Sequence, residues 1–235
     1  MKRFLVISFM LAVGGVFLVT AAGVVFVSSV FSQEQQQAQP AQPVQTPVQP
    51  AGQVKSPQTL ANLMMAYNAE MNAKEKYSAY ALKADSEGYK KAAQLFRAAA
   101  RSEEIHSVIE LKAIILLGGT PAVDIKPAAV KTTKENLAEA IESEAALVEA
   151  TYPKYLEQAS ADNVRLASIA FGNAKPVEMN RKMLLMNALN NLKDWKKASK
   201  TGFYVCKICG NLVEALNFAA CPICKAPISE FAKIL

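Results

Sequence analysis

The chain has 235 residues, 51% of them apolar and 20% charged, with a formal net charge of +6. That composition excludes a globally disordered chain and leaves room for one full domain with small appendages. Two of the positive charges are Lys2 and Arg3, so the remainder carries only about +4, too little for a nucleic-acid-binding footprint.

The first predicted element follows those two charges. From Phe4 to Phe31 no residue is ionisable, a run longer than the roughly 20 residues a helix needs to cross a bilayer. It also exceeds the apolar core of a secretory signal, about 7 to 15 residues. Residues 1–32 therefore read as a retained transmembrane anchor, with a signal segment cleaved after Ser32 as the alternative. Either way Lys2 and Arg3 stay inside, and everything beyond is expected outside the cytoplasm, on the periplasmic or extracellular side. Residues 33–56 are mostly Gln, Pro, Ala and Val. Such a stretch forms an extended polyproline II linker that reaches up to roughly 75 Å at about 3.1 Å per residue.

Residues 57–198 are rich in Ala, Leu, Met, Glu and Lys, with breaks at Ser86-Glu87-Gly88, Gly118-Gly119-Thr120-Pro121 and Ser160-Ala161-Asp162. The spacing predicts four helices, near 57–85, 88–117, 133–160 and 162–193, with a long second connection, as in an antiparallel four-helix bundle. A displacement of 74 residues lays Asn62-Leu63 on Asn136-Leu137, Glu70 on Glu144, Leu82 on Leu156 and Ser86 on Ser160. The two hairpins thus read as copies.

A bundle of this kind builds a two-metal site from one Glu on each of two helices and a Glu-x-x-His on each of the other two. The first copy has Glu70 and the pair Glu103 and His106. The same displacement carries that pair onto Val177 and Asn180, so the second copy is expected to have lost it; His106 is the single histidine. Glu178 stands beside the vacated position, but one residue is a rotation of about 100°, which points it elsewhere unless Gly172 or Pro176 deforms the helix. Carboxylates gathered in an apolar bundle need a metal ion, hydrogen bonds, protons, or a buried cation drawn from Lys74, Lys175 or Arg181. Glu110, one turn beyond His106 on the same stripe, reads as a solvated residue, with a further carboxylate at the site as the alternative; Met64, Met71, Met183 and Met186 read as core filler, and Trp195 as a plug between bundle and tail.

In the tail, 201–235, Cys206-Lys207-Ile208-Cys209 and Cys221-Pro222-Ile223-Cys224 are two CxxC turns separated by eleven residues. Each turn aims two sulfurs at one point, so together they cage one ion, iron or zinc. Two disulfides are the alternative. Gly210 offers the positive φ needed where the chain folds back beneath the ion, and Ile208, Ile223 and Phe231 are expected to shield it from water.

From about residue 57 to 235 the chain resembles the rubrerythrin family, a ferritin-like di-iron bundle followed by a rubredoxin-like domain. The resemblance is carried by Tyr67-Asn68-Ala69-Glu70…Tyr77, Glu103-Glu104-Ile105-His106, Glu144…Tyr152-Pro153 and the GFYVCKICG…CPIC tail. The expected fold is an all-α four-helix bundle with a small C-terminal β-hairpin metal module, behind an N-terminal transmembrane helix. The resemblance implies a peroxide reductase in which a sulfur-bound iron feeds a di-iron centre. It implies Glu70, Glu103, His106 and Glu144 as bundle ligands, Tyr77 and Tyr152 close to the metal, and a homodimer. Against the family pattern, Leu147 stands where helix 3 has a glutamate, and Val177 and Asn180 where helix 4 has its Glu-x-x-His. The bundle site is accordingly expected to be degenerate, holding one iron, another metal or none. Three functions fit: a one-electron carrier using the four-cysteine iron with an unknown redox partner, a peroxide reductase with a remodelled one- or two-metal site, and a zinc-stapled structural or interaction protein. The missing bundle ligands favour the first.

Overall fold

The computed structural model describes residues 56–200 and 202–235. The expected anchor and all but the last residue of the expected linker lie outside the described residues, among which no helix is long and apolar enough to cross a membrane.

Helix α1 (Pro57–Ser86) begins on a proline, which is pre-set for a first helical position and has no N–H to leave unsatisfied. It stops at Gly88, whose φ of 81° lets Tyr89 N–H reach back to the Ala84 carbonyl at 2.8 Å. Helix α2 (Lys90–Leu116) then packs along α1. The connection 117–132 has no regular structure. It is pinned to α1 by side-chain amides, with Asp124 N–H donating to Asn68 Oδ1 at 2.8 Å and Lys126 N–H to Asn72 Oδ1 at 2.7 Å.

Helix α3 (Thr133–Ala146) starts with a capping box, in which the Thr132 hydroxyl accepts from Glu135 N–H and the Glu135 carboxylate accepts from Thr132 N–H. The third predicted helix is then interrupted. Leu147–Thr151 form a π-helical turn before α4 (Tyr152–Ala161). Pro153 supplies the reason: it has no N–H, and in an unbroken α-helix its ring meets the carbonyl four residues earlier, a conflict the wider π turn removes. A π turn carries one residue more than the α turn it replaces, so everything downstream is rotated relative to the simple repeat.

Helix α5 (Arg165–Asn190) closes the bundle with Pro176 inside it, and a 3₁₀ turn (Leu192–Lys196) leads to the tail. There β1 (Phe203–Cys206) is flanked by β2 (Leu212–Val213) and β3 (Phe231–Ile234), both antiparallel to it. The tail shares the bundle's core, because Phe203, Val205 and Leu212 join Leu95, Phe96, Leu137 and Leu185 in one buried cluster. Trp195 sits at this junction as expected, its ring 6.2 Å from that of Phe203. Met183 and Met186 do not fill the core: they are 62% and 44% exposed on the outer face of α5.

Candidate metal centres

The four cysteines converge as their spacing requires. Cys206 and Cys224 place their sulfurs 3.7 Å apart, as do Cys209 and Cys221, and all four sulfurs lie within 4.8 Å of one another. A tetrahedron of metal–sulfur bonds of about 2.3 Å has edges of about 3.8 Å, so the cage fits one ion. All four cysteines are free thiols rather than the two disulfides of the alternative reading. The Cys209 side chain and the N–H groups of Cys209 and Ile208, hydrogen-bonding the Cys206 sulfur, bring that thiol down to about 5, close to the thiolate a metal needs. Val177, Ile223 and Phe231 pack against the cage, while Ile208 is half exposed and shields it less than expected.

The bundle centre draws on all five helices. Glu70 comes from α1, Glu103 and His106 from α2, Glu144 from α3, Tyr152 from α4, and Glu178 and Arg181 from α5; every one is at least 97% buried. Glu70, Glu103, His106 and Glu178 each direct one donor atom into a space where all four lie within 4.8 Å of one another. His106 Nδ1 is 2.9 Å from Glu178, 3.6 Å from Glu103 and 3.8 Å from Glu70. Its other nitrogen, Nε2, lies 3.1 Å from the Cys209 carbonyl. A carbonyl only accepts, so Nε2 carries a proton, and the ring turns Nδ1 toward three carboxylates. Something positive belongs between them.

Other buried atoms point the same way. Glu70 Oε2 and Glu103 Oε1 have no hydrogen-bond partner among the described residues. Burial opposes the charged form of Glu70, but His106, Arg181 and Tyr152 outweigh it and hold that carboxyl below its usual range. Glu103 is pushed well above that range by burial, with Glu70 and Glu144 adding to the shift. Glu110, which was expected in solvent, is only 2% exposed, and burial together with Glu70 and Glu103 raises its carboxyl as well. Buried carboxylates that resist ionising are the environment in which a cation binds favourably. These donors fit one metal ion.

They do not fit two. Arg181 Nε is 2.7 Å from Glu144 Oε1, and its Nη2 is 2.7 Å from Glu103 Oε2 and also pairs with Glu178 Oε2. Its Nη1 donates to Ser102 Oγ at 2.8 Å. Glu144 is therefore not gathered with His106; the guanidinium and the Tyr77 hydroxyl hold it. Of the three cations considered from sequence, Arg181 is the buried one, whereas Lys175 is exposed and Lys74 pairs with Glu104 at the surface.

The expected vacancy at Val177 and Asn180 is a register error. Glu70 and Glu144 are 74 residues apart, but Glu103 and Glu178 are 75 apart, as are His106 and Arg181 and as are Tyr77 and Tyr152. The π turn at 147–151 supplies the extra residue. Glu178 thus faces the centre and the second copy reads Glu-x-x-Arg. Val177 packs against the cysteine cage, and Asn180 donates to Asn211 Oδ1 at 3.0 Å and to the Leu212 carbonyl at 2.7 Å. Leu147 opens the π turn and packs against a buried cluster that includes Leu63, Ile114, Tyr152 and Phe171. The tyrosines cross over between copies, Tyr152 bonding to Glu70 and Tyr77 to Glu144. In the sequence the shift shows as Pro153 inside a predicted helix and as the 75-residue spacing of Tyr77 and Tyr152.

The two centres touch. Gly210, at φ 78°, lies so close to α2 that a Cβ there would stand 2.9 Å from His106 Nε2 and 3.0 Å from Ser102 Oγ. Its own carbonyl accepts from Ser102 at 2.7 Å, so the cage is fastened to α2 on both sides of Gly210.

Residues 61–179 match the sequence model of the Rubrerythrin family. Among curated proteins, nigerythrin of Nitratidesulfovibrio vulgaris is 29% identical over 174 residues, covering 74% of this chain and 85% of the relative. Rubrerythrin-2 of Clostridium acetobutylicum is 27% identical over 190 residues, or 76% and 97% of the two chains. The solved structure of fully reduced, all-ferrous nigerythrin superposes with a TM-score of 0.68 at 28% identity, covering 79% of this chain and 90% of that one. Because the family pattern spans half the chain and the same bundle returns in the solved fold, this chain belongs to the rubrerythrin family.

Proposed function

We propose that the chain is a rubrerythrin-type iron protein in which an iron in the cysteine cage passes single electrons to the bundle centre of the same chain. One observation carries this reading: Cys209 offers its sulfur to the cage while its carbonyl lies 3.1 Å from His106 Nε2. When bound by four thiolates, iron supplies a one-electron ferric–ferrous couple.

The protein's own part is positional. Cys206, Cys209 and Cys221 are fully buried, which limits solvent reorganisation around the charge. Asn211 lies with its side-chain nitrogen 3.8 Å from the Cys221 sulfur, and such contacts raise the potential of a thiolate-bound metal. His106 joins the two centres through its two ring nitrogens, so the bundle acts as the electron's destination rather than as a scaffold alone.

Reduction of peroxide at the bundle centre, the activity that the family resemblance implies, is the second reading. The grouping of Glu70, Glu103, His106 and Glu178 favours it. The proposal retains the membrane anchor, a location outside the cytoplasm, a separate redox partner as electron donor and pairing of two copies.

The test uses the full-length protein. It is expected to contain iron with sulfur-to-metal charge-transfer absorption that bleaches on reduction and returns when hydrogen peroxide is added. Cys206→Ser abolishes that absorption. Zinc as the sole occupant of the cage overturns the carrier reading, and an absorption that stays bleached in peroxide removes the peroxidase.

A further inference from the structure

We propose that the Arg181 guanidinium is a built-in replacement for one metal ion, so that the bundle centre is a single-metal site held by Glu70, Glu103, His106 and Glu178. This goes beyond the electron-carrier reading and stands whether or not the cage iron is redox-active.

The two hairpins contribute matching halves to the centre. Glu70, Glu103, His106 and the Tyr152 hydroxyl make one half of the centre, and Glu144, Glu178, Arg181 and the Tyr77 hydroxyl make the other. Only the residues at 106 and 181 differ in kind. An imidazole in its neutral form presents a lone pair and needs a cation to receive it. A guanidinium presents donors alone and is itself the cation.

Arg181 behaves as an ion in that position. It reaches one oxygen from each of Glu103, Glu144 and Glu178, three carboxylates from three different helices. The second oxygens of Glu103 and Glu178 stay unpaired by hydrogen bonds, as do Glu70 Oε2 and His106 Nδ1. Glu178 thus bridges the guanidinium, through Oε2, and the space before His106, through Oε1, while Glu103 Oε2 lies between the two, 2.7 Å from Arg181 Nη2 and 3.6 Å from His106 Nδ1. A guanidinium stays protonated throughout the range in which proteins fold, so the charge facing these carboxylates is permanent. A second ion at this place would have to displace that charge.

The donors that remain are three carboxylates and one imidazole, a set suited to a hard divalent first-row ion such as Fe2+ or Mn2+. Manganese is the discriminating probe, because carboxylate and imidazole sites take it and four-thiolate cages do not favour it. The full-length chain, solubilised in detergent with its cage filled by zinc, is titrated with Mn2+, and bound metal is counted by elemental analysis and electron paramagnetic resonance. One Mn2+ per chain with an uncoupled six-line spectrum is expected. Two bound ions overturn the proposal, and so does none.

Arg181→His restores a Glu-x-x-His to the second hairpin and is expected to double the bound manganese, with the six-line signal lost to coupling between neighbouring ions. Arg181→Lys keeps the charge and is expected to hold at one. A folded Arg181→His variant that still binds one Mn2+ overturns the surrogate role, and if that variant fails to fold, the wild-type count decides alone.

Discussion

In the first hairpin Glu103 is followed three residues later by His106, and in the second Glu178 is followed three residues later by Arg181. Both pairs meet in one buried cluster of carboxylates, each half with a tyrosine from the other hairpin. Both halves leave carboxylate oxygens without a hydrogen bond, but the first also leaves the His106 nitrogen without one, while the second carries a guanidinium that ties Glu144 and Glu178 and reaches Glu103 across the centre. On the proposed reading, like electrostatic demands are met in two ways: one half takes its positive charge from a bound metal and the other carries it in the chain. A centre of this kind keeps part of its architecture when no metal is bound.

The sharpest way to break that contrast is Arg181→Met measured on metal-free protein. Removing the guanidinium strands three buried carboxylates, and losses from breaking a buried ion network run to about 3–5 kcal/mol, read as a fall in the urea midpoint. The matching His106→Gln is expected to cost only about 1 kcal/mol. Equal losses would sink the idea that the halves differ.

A smaller effect tests how the cage leans on the first hairpin alone. Gly210→Ala forces a side chain into a positive-φ position against His106, at about 1–3 kcal/mol. Amide exchange in residues 207–211 is expected to quicken and return of the cage absorption in peroxide to slow. Unchanged protection would mean that the contact through Cys209 is not held by close packing.

The smallest effect compares the tyrosines. Tyr77→Phe is expected to lower stability by about 1 kcal/mol or less, since Arg181 still holds Glu144, and the loss is the same with or without Mn2+. Tyr152→Phe is expected to cost about 1–2 kcal/mol in metal-free protein and less once Mn2+ engages Glu70. A reversed order would show that the tyrosines do not follow the halves they serve.

Much of this was open to a reader of the sequence. The helical hairpins follow from their punctuation at Gly88, Gly118 and Asp162, and the cysteine cage from the spacing of Cys206, Cys209, Cys221 and Cys224 alone. Glu70, Glu103 and His106 fall at spacings that bring them to one inner face. Arg181 stood among the candidate cations, but neither its neighbours nor its rank above Lys74 and Lys175 is readable from composition.

What the sequence determined by itself is local: CxxC turns close over a few bonds, and helix starts and stops depend on near neighbours. Tertiary structure decided the composition of the bundle centre, because that depends on the cumulative rotation of a helix. One added residue in the π turn before Pro153 rotates the downstream register by about 100°. That rotation takes Val177 and Asn180 to the cage side and brings Glu178 and Arg181 into the centre.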